Sequence, residues 1–160
     1  MTCGLPGAGK TTLAKRVEDQ YCALRFTSDE WLRRIHPEFS EPDLDDIREP
    51  VEEIQWELTT KAIHCGISVI LDWGFWERNS RDRYRTAGER AGANVVLCLL
   101  TPPVEELRRR IAIRNVTGRD HAFEITNLAF HHAQERFQVP TSEELKLYAP
   151  NPLVDSDYGC

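Results

Sequence analysis

Gly4, Gly9, Lys10 and Thr11 stand in GLPGAGKTT at the spacing GxxxxGK[ST], and these residue types together suit one task, the holding of a phosphate chain. Glycines let successive backbone N–H groups turn inward around phosphate oxygens, and a helix that starts just behind them points its positive end at the same anion. The cofactor-binding set read from this pattern is Gly4, Leu5, Pro6, Gly7, Ala8, Gly9, Lys10, Thr11 and Thr12. Lys10 would neutralise charge on the β- and γ-phosphates, and the Thr11 hydroxyl would ligate Mg²⁺. The segment TTLAKRVEDQ that follows has the helical composition this motif requires.

Two acids stand where strands would end. Asp72 closes the apolar run ISVILDW, a place from which a carboxylate holds Mg²⁺ directly or through water; its other reading is a turn cap. Asp29 follows LRFTS, on the side where strand C-termini gather and ligands bind in open α/β sheets. There it would accept the proton of a substrate hydroxyl, or Ser28 or Asp29 would simply cap the helix DEWLRRI. Arg110 and Arg114 lie four apart in LRRRIAIRN and share a helical face, which either closes over a transferring phosphoryl group or is a solvated basic face. Trp73 stands where hydrolytic ATPases usually place a water-orienting glutamate, and no NKxD guanine signature occurs. Phosphorylation of a hydroxyl is the chemistry these residues fit best.

Elements must bring these groups together. LRFT, ISVILDW and NVVLCLL are short, β-branched apolar runs separated by segments of helical spacing, an alternation that predicts a parallel sheet with helices on both faces. Helices are expected at 11–20, 28–35, from Pro50 to the glycine stop at Gly66, and at 79–91, 104–115, 123–137 and 142–147. HPEFSEPDLDD, 36–46, reads as a surface connection, with a lid as the alternative. Only Met1, Thr2 and Cys3 precede Gly4, whereas a strand feeding such a loop has about five or six residues.

Composition narrows the class. The 160 residues suit one domain, and a formal net charge of −6 offers polyanions no general attraction, which argues against nucleic acid as the main partner. Five scattered cysteines without CxxC spacing suit a reducing, cytoplasmic setting. No apolar run reaches the length of a membrane span.

The order GLPGAGKTT, SDEWL, ILDWGFWERNSRDRYR, PVEELRRRIAIRN, ERFQVPTSEE resembles, over nearly the whole chain, the phosphate-loop kinases that include polynucleotide 5'-hydroxyl kinases, zeta toxins and chloramphenicol phosphotransferase. It is most similar to short bacterial AAA-family ATP-binding proteins of the predicted-kinase type. The resemblance implies a three-layer α/β/α P-loop NTPase fold with a parallel sheet of about five strands and a helical lid at about 108–125. It implies ATP and Mg²⁺ as cofactors, Asp29 as general base, and Lys10, Arg110 and Arg114 as donor-phosphate contacts. It also implies an acceptor pocket lined by Trp73 and Phe75, with Arg78 and Arg81 facing it. The leading expectation is transfer of the γ-phosphate to a hydroxyl of a small molecule, an antibiotic, sugar or metabolite. The alternatives are a polynucleotide 5'-hydroxyl kinase, which Leu32 opposes by standing where those enzymes carry a basic residue, and a nucleotide-binding regulatory module with no dedicated acceptor.

Overall fold

The computed structural model describes residues 1–35, 41–117 and 124–151, with the side chains of 41–46 left aside. The elements run β1 (Thr2–Cys3), α1 (Lys10–Tyr21), β2 (Leu24–Phe26), α2 (Ser28–Ile35), α3 (Glu41–His64), β3 (Val69–Leu71), α4 (Arg78–Arg90), β4 (Cys98–Leu99), α5 (Val104–Thr117), α6 (Asn127–Arg136) and α7 (Ser142–Leu145).

The strands are parallel. Leu24, Arg25 and Phe26 stand opposite Val69, Ile70 and Leu71, and Thr2 and Cys3 stand opposite Cys98 and Leu99. The two pairs meet at a parallel bridge between Cys3 and Gly74, where the Gly4 N–H donates to the Gly74 carbonyl at 3.1 Å. This sets the spatial order β2-β3-β1-β4, with β1 in the middle and the phosphate loop rising from it. Among the described residues there are four strands, not five; beside the run leading into β4 the next segment contributes a single bond, Ala149 N–H to Val95 O at 2.8 Å.

Side-chain alternation places helices on both faces. Ile70 packs with Ala14 and Val17 of α1, whereas Val69 and Leu71 join Trp56 of α3 and Tyr84 of α4. A third cluster joins Leu107 and Ile111 of α5 to Phe130 of α6 and to Ala8 in the loop. The result is a P-loop NTPase-like α/β fold.

Element ends mostly follow their local signals. After α3, Gly66 adopts φ 75° while its N–H donates to Ile63 O and the Ile67 N–H to Ala62 O, both at 2.9 Å. This is the paired closure of a helix whose next residue must be left-handed. The start of α3 departs from expectation. It is 24 residues long and carries Pro50 inside it. The ring deletes one helical hydrogen bond, but Val51, just beyond it, is buried with Leu32 of α2, and this packing carries the helix through. Of the segment expected to be a connection, 41–46 belong to α3 and 36–40 lie outside the described residues. Of the expected lid, 108–117 belong to α5 and 118–123 lie outside the described residues. Among the described residues no helix is long and apolar enough to cross a membrane.

Candidate functional site

The phosphate loop links β1 to α1. Gly9 stands at the helix N-cap with φ 94°, and no acidic side chain occupies the first turn of α1, so the positive end of the helix is left for an external anion. Gly7 has φ 81°, and a Cβ there would lie 3.0 Å from Leu107 O and 3.1 Å from Ile111 Cγ1. Only glycine lets the backbone pass this close to α5 in a left-handed conformation. The Lys10 ammonium folds back across the loop and donates to Leu5 O at 3.0 Å. Loss of hydration lowers its pKa, against the opposing pull of the Asp72 and Asp29 carboxylates; phosphate oxygens would restore the missing counter-charge. Ala8 is buried against α5, whereas Thr11 is half-buried and Thr12 is exposed.

Asp72 sits beneath the loop at the end of β3, 6% exposed. Its Oδ1 accepts from the Thr2 hydroxyl at 2.8 Å, and its Oδ2 is buried with no hydrogen-bond partner. A carboxylate oxygen with an open lone pair, near a loop built for phosphate, fits a hard cation. Among the described residues no three His, Cys, Asp or Glu side chains gather into a metal cage; Mg²⁺ in nucleotide sites is ordinarily held by one or two protein oxygens and the nucleotide itself. Asp72 and Thr11 would hold it.

Asp29 stands in the first turn of α2, about half exposed, and accepts from Arg48 Nη1 at 2.6 Å. Behind it the Ser28 hydroxyl donates to Glu52 Oε1 at 3.1 Å. Burial pushes the Glu52 carboxyl up to about 6, partly offset by Arg48 and the Ser28 bond. The unfolded chain ionises this group at lower pH, so the folded state binds the extra proton and stability falls as pH rises through roughly 4.5 to 6. Glu52→Gln should flatten that slope in urea unfolding midpoints measured from pH 4 to 8; an unchanged slope would remove Glu52 as its source.

On α5, Arg110 donates to Glu106 Oε1 at 2.6 Å, and its Nη1 reaches Ala8 O of the loop at 3.5 Å. Hydrogen bonds from Arg109 and Arg110 hold the Glu106 carboxyl down at about 2. The Arg114 charge presses on Lys10, lowering its proton affinity further. Lys10, Asp72, Asp29 and Arg114 thus share one electrostatic environment, and Arg110 borders it.

A family model described as AAA domain matches residues 1–140. The chain belongs to the AAA domain family. It is therefore a P-loop nucleotide-binding domain. Among solved structures it is similar to Chaetomium thermophilum Kti12, whose crystal structure is in complex with ADP-AlF₃, at 18% identity and a TM-score of 0.58, covering 89% of this chain and 81% of that one. At this identity the likeness speaks to the fold. A comparison with curated proteins yields no match.

The AAA domain places the expected acceptor residues differently from the sequence reading. Phe75 is 4% exposed, stacks on Trp73 at 5.7 Å and meets the edge of Tyr84. The Trp73 indole donates to Gln55 Oε1 at 2.7 Å. Arg81 is 1% exposed and gives its donors to Glu144, Phe75 O and Trp76 O. Phe75 and Arg81 are therefore core residues. Arg78 divides its guanidinium between Asp82 at 2.7 Å and Glu144 at 3.3 Å. Sequence reasoning missed the contacts that three side chains make. Trp76 donates its indole N–H to Gly4 O at 2.9 Å, Glu144 anchors Arg81, and Glu106 orients Arg110. Only Glu106 left a local signal, its i,i+4 spacing to Arg110.

Proposed function

We propose that this AAA domain binds ATP with Mg²⁺ through Gly4–Thr12 and Asp72 and works as a nucleotide-responsive module, turning ATP over slowly without a dedicated acceptor. The observation that carries this reading is the use made of the turn after β3. Phe75 and Arg81 lie in the core, Trp73 bonds Gln55 and Trp76 bonds the phosphate loop, with Gly4 bonded to both Gly74 and Trp76. Occupation of the loop would therefore be felt directly in that turn. Bound Mg²⁺ would supply charge neutralisation at the phosphate oxygens. Lys10 and the loop N–H groups would hold the chain of phosphates.

A second reading, transfer to a small-molecule hydroxyl, is favoured by Asp29. Its charge reaches Lys10, so it stands at the same end of the sheet as the donor, where it could accept a hydroxyl proton. Transfer to a polynucleotide 5'-hydroxyl is disfavoured by the net charge of −6. One experiment separates these readings: ADP release with Mg²⁺ is followed alone, then with a panel of hydroxyl metabolites, antibiotics and a 5'-hydroxyl oligonucleotide, for the parent chain and Asp29→Asn. The module reading expects slow release that no acceptor stimulates and that the substitution leaves nearly unchanged. Stimulation by one acceptor, lost by about 10²- to 10⁴-fold in Asp29→Asn, would replace it with the kinase reading.

A further inference from the structure

We infer that Glu144, on the four-residue helix α7, is a positioning residue for the nucleotide site, acting on the phosphate loop through Arg81 and Trp76. Glu144 is 2% exposed and lies beyond the residues matched to the AAA domain. Its Oε1 accepts from Arg81 Nε at 2.6 Å and its Oε2 from Arg81 Nη2 at 3.0 Å, a bidentate grip that fixes the guanidinium plane. The remaining arm of that plane, Nη1, donates to two consecutive carbonyls, Phe75 O at 3.1 Å and Trp76 O at 2.8 Å.

Those carbonyls belong to a turn the backbone would not adopt unaided. Phe75 holds φ 43°, a left-handed conformation uncommon for an aromatic residue. The Gln138 N–H adds a second donor to Trp76 O at 3.0 Å. So held, Trp76 places its indole N–H 2.9 Å from Gly4 O while the Gly74 carbonyl takes the Gly4 N–H. Both polar groups of the first loop glycine are bonded to this turn. The loop has little room to compensate, because a Cβ at Gly4 would lie 2.5 Å from Leu100 O.

A desolvated ion pair is a poor source of net stability, since hydration lost on burial offsets much of the Coulomb attraction. Its contribution here lies in geometry. Glu144 orients Arg81, Arg81 orients the turn, and the turn sets the angle at which Gly4 enters the loop.

The test is a double-mutant cycle read by calorimetric binding of ADP with Mg²⁺. Glu144→Gln and Trp76→Phe should each weaken binding about tenfold. Combined, they should lose no more than the larger single change, because both act through one chain of bonds. Parent-like affinity in either variant, or additive losses, overturns the inference. Where Glu144→Gln does not fold, Trp76→Phe decides alone, with a tenfold loss in support and parent-like affinity against. A parent chain that binds no ADP refutes the nucleotide-site reading itself, whereas parent binding with unaffected variants refutes only the role of Glu144.

Discussion

An alanine at position 10 should reduce ATP turnover by about 10²- to 10³-fold, the loss typical of removing one preorganised donor from a developing anion. Two effects combine. The ammonium that would sit among the β- and γ-phosphates is gone, and so is the 3.0 Å bond from Lys10 Nζ to Leu5 O that spans the loop before any ligand arrives. Asp72 and Asp29 then face the phosphates without the intervening cation whose proton affinity they raise. Affinity for ATP with Mg²⁺ should therefore fall together with turnover. Steady-state ADP release and calorimetric titration check both, and undiminished turnover would mean that the loop does not carry the reaction.

The second large effect concerns stability. Arg81→Met leaves the buried Glu144 carboxylate with only its outer contact, Arg78 at 3.3 Å, and breaking a buried pair from one side costs up to about 3–5 kcal/mol. Arg81 has a raised pKa although burial works against its charge, because the hydrogen bonds to Glu144 prevail, so the guanidinium stays charged at neutral pH. Replacing both partners together, Arg81→Met with Glu144→Leu, should recover much of that loss, since no charge then remains buried. Urea unfolding of the three chains measures this. A single variant as stable as the parent would show that Arg78 or water pairs with the carboxylate in place of Arg81.

The contrast between these residues explains what was legible in the sequence. Lys10 and its glycines are read from a contiguous motif because the loop binds phosphate with its own backbone, and contiguity is what a sequence displays. The sequence singles out Asp29 and Asp72 because each stands next to an apolar run, and Phe26 and Leu71 of those runs are paired across the ladder. The burial of Arg81 is not legible in the sequence because its partner is 63 positions away, a distance over which local reasoning has no reach. Its stripe was nevertheless present in the chain. Arg81, Tyr84 and Gly88 are the buried residues of α4, at the spacing of a core face, and only the charge of the first disguises it. Trp73 and Phe75 were assigned to chemistry because they follow a strand-end acid, but Tyr84 from α4 and Gln55 from α3 claim them. Propensity alone makes Pro50 a helix start, and the burial of Val51 overrides it.

The thiol of Cys3 stands at the foot of the loop, wholly buried, donating to Phe75 O at 3.3 Å. Burial pushes its pKa up to about 11, so at neutral pH only about one molecule in ten thousand carries the thiolate that alkylating agents and peroxides attack. Cys22 and Cys65 are free and exposed. Maleimide dyes should therefore attach at the end of α1 and the end of α3 while sparing Cys3 in the strand that feeds the loop, so that labelling the natural chain leaves the foot of the nucleotide site unmodified.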